Sequence, residues 1–280
     1  MKILTSAGLV LVIFSLVWLF AIFPALAKLP ADHHKVVNFE GTYKVMNAET
    51  RTLDEIPVKV KREQQATGVQ DNVLIIDQVI TTAHADSGTD LSQFGLSEEL
   101  GVERSKREYV PGYGDMERSG QFCFPEKVEK KSYPFWIPTA GRPLETAFVD
   151  EEDYEGLKVF RFEINEQDLD IGTHPTANMP QLLDISVKMK VEPVSGTTVY
   201  SESLTTIKIV ATPEMIVTIY ISDINFTDDT ITDLVDIAGS ARTQLLWAKV
   251  YGFWLCLGLG IVLMLVGVVG IIRAKPREAA

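Results

Sequence analysis

Few side chains in this sequence have the type and spacing that metal binding or catalysis requires. Adjacent His33 and His34 could ligate a metal, but no cysteine or third histidine lies nearby in sequence, and neighbouring residues on an extended chain point in opposite directions. We interpret the two as solvated histidines close to a membrane. His84 and His174 are isolated, and each is interpreted as a surface or core histidine rather than a ligand.

An acidic group near residue 228 offers oxygen atoms that could bind Ca²⁺. Its members are Asp223, Asp228, Asp229 and Asp233. The group lacks the glycine and the spacing of a calcium loop, so negative charge at a helix N-terminus, with Asp228 as its cap, explains it better. The neighbouring Asn225-Phe226-Thr227 is a glycosylation sequon, which has meaning only in a host that glycosylates.

The motifs of the common enzyme classes do not occur in this sequence. There is no Walker loop, no glycine-rich dinucleotide turn, no Gly-x-Ser-x-Gly elbow and no His-Glu-x-x-His helix. We predict that the protein is not an enzyme and that it has no catalytic, cofactor or metal site.

An aromatic block is the one remaining candidate site. Tyr133, Pro134, Phe135 and Trp136 follow one another, and Arg142 comes shortly after them. Such a block most often locks a loop onto a sheet as an aromatic corner. The functional alternative is an exposed platform for a lipid or a glycan.

Two apolar runs, 3–26 and 250–272, lie at the ends of the chain that carries this block. Each has the ~20 residues that a helix needs to cross a bilayer. Both are predicted to span the membrane and to pack on each other. The glycines of the second run permit close helix contact, although no strict Gly-x-x-x-Gly occurs in it.

Basic residues beside the two runs set the expected orientation. Lys2 precedes the first run, and Arg273, Lys275 and Arg277 follow the second. Lys and Arg are retained on the cytoplasmic side, so we expect a plasma-membrane protein with both termini in the cytoplasm and an extracytoplasmic domain. The alternative is a signal peptide cleaved after Ala27, but the first run is longer than the ~7–15 apolar residues of such a peptide.

The sequence therefore predicts five segments in chain order. They are an N-terminal anchor or signal peptide at 1–27, a β-rich domain at 28–227, an amphipathic stalk helix at 228–249, a transmembrane helix at 250–272 and a tail at 273–280.

Charge and cysteine content limit the partners. The chain has a formal net charge of −12, which argues against nucleic acid, because phosphate backbones need a positive surface. Cys123 and Cys256 cannot pair, since one lies in the domain and the other inside the second span. Cys123 is then either buried or bridged to a partner.

Strand patterns dominate the middle of the chain. Residues 184–192 alternate between apolar and polar, Pro193 to Gly196 form a turn, and 197–210 are rich in β-branched residues, which predicts an antiparallel hairpin. Similar runs lie at 36–46, 56–61, 73–82, 157–164 and 215–224. We predict a mainly β domain, an antiparallel sheet that is curved or closed, between two transmembrane helices.

Two segments depart from this strand pattern. The polar stretch 85–120 is expected to hold a short helix at about 91–100 and a loop at 109–114. Apolar residues after Asp228 fall at helical spacing, so a helix should continue into the second span as a rigid stalk. Gly239 is its weak point, because an exposed glycine inside a helix costs ~1 kcal/mol.

Several segments resemble a known family. They are Lys130 to Trp136, Gly141-Arg142, Tyr154 to Glu163, Lys28 to Pro30, Glu103 to Ser105 and Val191 to Gly196. Together they are similar to the signature of the bacterial PorA-type family, which has a domain of unknown function and carries a porin label. The resemblance covers nearly the whole chain, implies the same two-anchor topology and supplies no catalytic residues.

The strand pattern argues against a membrane barrel. Charged residues occupy the outer face of the predicted strands, whereas a membrane barrel has an apolar outer band. We therefore interpret the domain as a non-catalytic body, inert as a pore, that binds or scaffolds a cell-envelope component such as a lipid. Two anchored ends around a β-rich domain also resemble the lipid-carrying scavenger-receptor class B architecture, by fold analogy alone. The alternative is an oligomeric channel formed by the transmembrane helices, with the bilayer and further copies of the chain as partners.

Overall fold

The described residues form two compact units. The computed structural model describes residues 2–212 and 214–274. One unit lies within residues 1–28 and 240–280, and the other comprises residues 29–239. Most of the predicted tail at 273–280 lies outside the described residues.

Helices occur near both ends of the described chain. In chain order they are α1 Lys2–Val17, a π-helical turn Trp18–Ile22, α2 Phe23–Leu26, α3 Asp228–Leu246, a second π-helical turn Trp247–Tyr251 and α4 Gly252–Ala274. Two helical stretches, Lys2–Ile22 and Asp228–Arg273, are long and apolar enough to cross a membrane.

The second unit is built on an eleven-stranded antiparallel sheet. Its strands are β1 His34–Met46, β2 Leu53–Gln70, β3 Val73–His84, β4 Leu96–Glu103, β5 Tyr109–Gly114, β6 Tyr133–Ile137, β7 Arg142–Tyr154, β8 Leu157–Thr173, β9 Pro180–Val191, β10 Thr198–Thr212 and β11 Met215–Phe226. Each strand pairs with its neighbours in sequence except at β5 and β6, and β1 pairs with β11. The predicted antiparallel sheet is thus confirmed.

The sheet is not closed, so the closed form offered by the sequence is wrong. Its edge strands β5 and β6 do not pair with each other. Instead, residues 120 and 121 form hydrogen bonds with both edge strands. The Tyr109 amide of β5 donates to the Gly120 carbonyl at 2.9 Å, and the Gln121 amide donates to the Pro134 carbonyl of β6 at 2.6 Å. These bonds satisfy part of the edge backbone without a continuous strand pair.

Residues 234 and 238 of helix α3 pack against one face of the sheet. One core cluster combines Val37 of β1, Val159 of β8 and Phe226 of β11 with Leu234 and Ala238 of α3. β1 and β8 are separated by three strands, and the cluster also includes Val199 of β10, one of the strands between them. Register shifts occur in several strand pairs, and a bulge of this kind increases the local twist of a sheet.

The predicted hairpin is present between β9 and β10. Its turn ends at Gly196, which has a φ of +76°. A Cβ at this position would lie 2.3 Å from the Pro125 carbonyl oxygen. Glycine is therefore needed both for the left-handed turn and for the close approach of the 124–125 segment.

The predictions for 85–120 are wrong in two places. Only a 3₁₀ turn, Ser92–Phe94, occurs where a helix was expected, and β4 follows it. The expected loop at 109–114 is β5. Leu100 and Val102 are completely buried and pair with β3, and tertiary pairing of this kind overrides weak local propensity.

Helix α3 starts at Asp228, so its cap lies one residue earlier than the sequence predicts. Thr227, rather than Asp228, accepts a hydrogen bond from the Thr230 amide at 3.3 Å. The Thr230 hydroxyl in turn accepts from the Asn38 amide at 3.1 Å. Thr230, Leu234 and Ala238 are buried at four-residue spacing, which fixes the start of the helix against the sheet.

Candidate functional site

A line of polar side chains crosses the core face of the sheet. Lys35 of β1 lies opposite Gln64 of β2, Gln64 opposite Gln78 of β3, and Gln78 opposite Glu98 of β4. Because side chains alternate between the two faces of a strand, four residues in register share one face. We call these four residues the polar row.

Direct hydrogen bonds connect three members of the polar row. Gln64 Nε2 donates to Gln78 Oε1 at 2.6 Å, and Gln78 Nε2 donates to Glu98 Oε2 at 2.9 Å. Both glutamines are 7% exposed. Buried amides need partners because an unpaired one costs about 1–3 kcal/mol, so the two glutamines depend on each other and on Glu98.

Arg118 ends the row at Glu98. Its Nη2 donates to Glu98 Oε1 at 3.0 Å and its Nη1 donates to Asp115 Oδ1 at 2.5 Å. Arg118 is 4% exposed. Burial on its own raises the pKa of Asp115, but the hydrogen bond and charge of Arg118, together with backbone hydrogen bonds, outweigh burial and lower that pKa from its ordinary value.

The residues of the predicted aromatic block differ in how far they are buried. Tyr133 is buried and its ring contacts Phe124 and Phe162 at centroid distances of 5.4 and 5.8 Å. Phe135 and Trp136 are half-buried, whereas Pro134 is exposed. Trp136 lies 6.5 Å from the Tyr109 ring, and the Arg142 side chain is exposed on β7.

Tyr133→Phe should lower the free energy of unfolding by about 1 kcal/mol. The Tyr133 hydroxyl accepts a hydrogen bond from the Glu129 amide at 2.8 Å, and phenylalanine would leave that amide unpaired. The measurement is guanidinium unfolding of the full-length protein in detergent. Tyr113→Phe is the matched control, because its bond to Asp71 is 3.5 Å long and exposed; equal stability loss in both variants would contradict the prediction.

The remaining sequence candidates do not form a metal site in the described chain. No group of three or more His, Cys, Asp or Glu residues there could hold a metal ion. His34 lies on the outer face, 3.3 Å from Glu63. The interpretation of His33 as solvated is wrong: its Nε2 is buried, and burial, followed by the charge of Lys35, lowers its pKa.

Cys123 is a free thiol in the described structure. Burial raises its pKa, although Arg107 and Lys35 act in the opposite direction. The thiol therefore stays protonated near neutral pH, and its environment does not resemble that of a reactive cysteine.

The helical unit contains a close helix pair, as the sequence predicts. A Cβ added to Gly8 of α1 would lie 2.5 Å from the Gly260 carbonyl oxygen of α4 and 2.6 Å from Met264 Cγ. Trp18 Nε1 donates to the Ala248 carbonyl at 2.8 Å. Outside this contact, both helices expose large apolar side chains, including Leu9, Val10, Ile13, Phe14, Leu255, Leu259, Val262 and Val266.

Sequence reasoning missed the polar row, although β2 contains a signal. Val58 and Val60 occupy the core face, and Arg62 and Gln64 then follow on that same face. The predicted strand ended at residue 61, so this change from apolar to polar fell beyond its end. Polar residues on a core face usually mark an internal hydrogen-bond network.

The chain is similar to a known protein family. A family model described as Porin PorA matches residues 2–269. No curated protein matches the chain. The matched range contains the sheet, the polar row, the first long apolar helical stretch and all but the last four residues of the second.

Proposed function

The chain belongs to the porin PorA family, and from this membership we propose that it forms a channel for small hydrophilic solutes across a membrane. The observation that carries the proposal is the family match over residues 2–269. That range includes nearly all of the two helical stretches that could cross a bilayer, as well as the whole sheet.

The interpretation of the domain as an inert body that binds a lipid or scaffolds an envelope component is wrong. That interpretation gave the charged outer faces of the predicted strands more weight than the resemblance to a porin family. The match to a porin family, together with a large antiparallel sheet, favours the alternative of a porin-like protein.

The outer face of the sheet supports helices, rather than strands, as the membrane-crossing elements. Ion pairs join neighbouring strands on this face, such as Lys44 with Glu55 at 2.9 Å and Lys188 with Glu202 at 2.7 Å. A Lys facing lipid at the bilayer midplane costs about 2–4 kcal/mol. Strands with such outer faces are suited to water, whereas the exposed surfaces of α1 and α4 are apolar.

A channel of this kind needs several copies of the chain. Two apolar stretches per chain are too few to enclose a pore, and α1 and α4 already pack together through Gly8 and Gly260. Their remaining apolar faces can contact lipid or another copy. We therefore propose a homo-oligomer whose helices line or surround the pore.

The proposed setting is the plasma membrane, with both termini in the cytoplasm and the sheet domain outside. Lys2 and Arg273 at the outer ends of the apolar stretches support this orientation. A channel needs no catalytic residue or cofactor, and we propose that the protein is not an enzyme. The bilayer and further copies of the chain are its proposed partners.

Planar-bilayer recording tests the channel. The purified full-length protein should give discrete conductance steps, and step frequency should rise more steeply than linearly with protein concentration, because assembly needs several copies. Absence of steps from bilayers that contain the inserted protein would show that the chain is not a channel. A linear dependence would contradict the oligomer.

A deletion separates helices from strands as the pore wall. Removal of residues 250–272 should abolish the conductance steps, because it removes one of the two spans. The matched control removes no helix: Lys59→Met and Lys61→Met on the outer strand face should leave the steps unchanged. Steps that persist in the deletion variant would place the pore in the sheet and contradict the helical channel.

A further inference from the structure

Four basic side chains gather at the Lys35 end of the polar row. Lys35 and Arg62 lie on the core face of adjacent strands, diagonal to each other, because Lys35 is opposite Gln64 and Arg62 is opposite Val37. His33 immediately precedes β1, and Arg107 lies in the turn between β4 and β5. We call His33, Lys35, Arg62 and Arg107 the cationic cluster.

Three ring or guanidinium nitrogens in this cluster have no hydrogen-bond partner among the described residues. They are His33 Nε2, Arg62 Nε and Arg107 Nε, and all three are buried. Each buried donor without an acceptor costs about 1–3 kcal/mol, and more when it is charged. Arg62 Nε and Arg107 Nε are donors at any pH, so the site suits an acceptor from outside the chain; His33 Nε2 adds a third donor in the tautomer that carries the proton on this nitrogen.

The charges of the cluster are only partly compensated. Arg107 donates through Nη1 to the Phe124 and Ser195 carbonyls, each at 2.9 Å, and through Nη2 to Glu126 at 3.4 Å. Within the described chain no carboxylate forms an ion pair with Lys35 or Arg62. Arg62 instead lies over the Phe39 ring, 5.4 Å from its centroid.

The electrostatic environment of Lys35 agrees with this geometry. Burial lowers its pKa to about 8, and Arg62 and Arg107 contribute to the shift. Lys35 is therefore still mostly protonated at pH 7, beside two arginines. Isolated buried charges are unfavourable, and a counter-charge at the site would relieve both their desolvation and their mutual repulsion.

We propose that the cationic cluster binds a small inorganic anion, such as phosphate or chloride, on the core face of the sheet. Buried N–H donors that converge with uncompensated positive charge are the groups that recognise such anions. The site is not part of the proposed helical pore, and the proposal does not depend on channel activity.

Thermal unfolding of the full-length protein in neutral detergent tests the site. A ligand that binds the folded state raises the melting temperature in a saturable way. Sodium phosphate and sodium chloride, titrated separately at constant ionic strength against sodium gluconate, should show such a rise for at least one anion. Melting temperatures that are independent of both anions would overturn the proposal and indicate that water alone meets these donors.

Two double variants locate the binding. Lys35→Met with Arg62→Met should weaken anion affinity at least tenfold, since it removes two of the four basic groups. Lys59→Met with Lys61→Met removes the same charge from the exposed outer face of β2 and should leave affinity unchanged. Equal weakening in both would show general charge screening and contradict a site.

Calorimetry provides a readout that does not depend on the stability of the cluster variant. Isothermal titration of the unmodified protein and of the outer-face variant with inorganic phosphate or chloride should give one saturable site per chain in both. Arg62→Lys keeps the charge but removes the Nε donor, and it should weaken binding less than Arg62→Met. Equal affinities for the two Arg62 variants would contradict the charge-based assignment.

Discussion

Phe124→Ala should lower the free energy of unfolding by about 3–5 kcal/mol. Phe124 is completely buried although it lies in the irregular segment between β5 and β6. Its ring packs against Phe135 at 4.5 Å, Phe162 at 4.6 Å and Tyr133 at 5.4 Å between centroids. The segment thus supplies the central ring of a core cluster, and alanine would leave a cavity surrounded by strands that cannot all move inward.

Guanidinium unfolding of the full-length protein, followed by near-ultraviolet circular dichroism, measures this effect. Met116→Ala is the control, because Met116 lies in the same segment between β5 and β6 but is 53% exposed. It should change stability by less than about 0.5 kcal/mol. Phe124→Ala with a similarly small change would mean that the irregular segment does not hold the sheet together.

Phe124 also illustrates what the sequence could not predict. Alternating segments such as β8 and β9 identify themselves as strands, since each repeats its pattern over many residues. The irregular segment has no period, and tertiary contacts, including the one with Phe162 38 positions away, explain why its phenylalanine is buried. Packing of this kind depends on the fold rather than on local pattern.

The prediction for the segment that contains β4 was wrong for a related reason. Its residues Glu98, Leu100 and Val102 lie on one face and are interrupted by glycine, so the alternation is short. The strand forms because β3 offers eight consecutive pairing positions to it. Weak local propensity is then overridden by pairing with a long, buried neighbour.

The polar row was not predictable as a site, although its members were visible. Gln64, Gln78 and Glu98 lie in three separate strands, and nothing in the local sequence links them. Their meeting depends on the register of three strands, and a shift by one residue would place each of them on the opposite face. The two apolar runs at the ends of the chain, by contrast, can be predicted without knowledge of tertiary contacts, because their length and hydropathy identify them.

Arg118→Met should lower the free energy of unfolding at pH 7 by about 3–5 kcal/mol. The Arg118 and Glu98 side chains are 3% and 9% exposed, so removal of the arginine leaves a carboxylate inside the core without its counter-charge. The effect should spread to Gln78, whose amide donates to the same carboxylate. Arg142→Met is the matched control, since Arg142 is exposed on β7, and it should be nearly neutral.

A second variant distinguishes loss of the ion pair from simple loss of packing. Glu98→Gln combined with Arg118→Met removes both charges and keeps an acceptor for Gln78, so it should recover most of the lost stability. If the double variant is as unstable as Arg118→Met alone, the contribution of Arg118 comes from its apolar stem rather than from its charge.

The pH dependence provides an independent check on the same residue. Burial raises the pKa of Asp115, but the hydrogen bond and charge of Arg118 and the backbone hydrogen bonds together outweigh burial, so the pKa in the folded protein lies below its ordinary value of 3.8. A depressed carboxyl pKa contributes stability above the unfolded-state value, and that contribution is lost as the pH falls below it. Unfolding measured from pH 5 to pH 2.5 should therefore show a loss of stability below about pH 3.8 in the unmodified protein that is smaller in Arg118→Met. Identical pH profiles for the two proteins would mean that Arg118 does not hold Asp115 in its charged form. Glu98 would then be the only carboxylate at the end of the polar row that depends on Arg118.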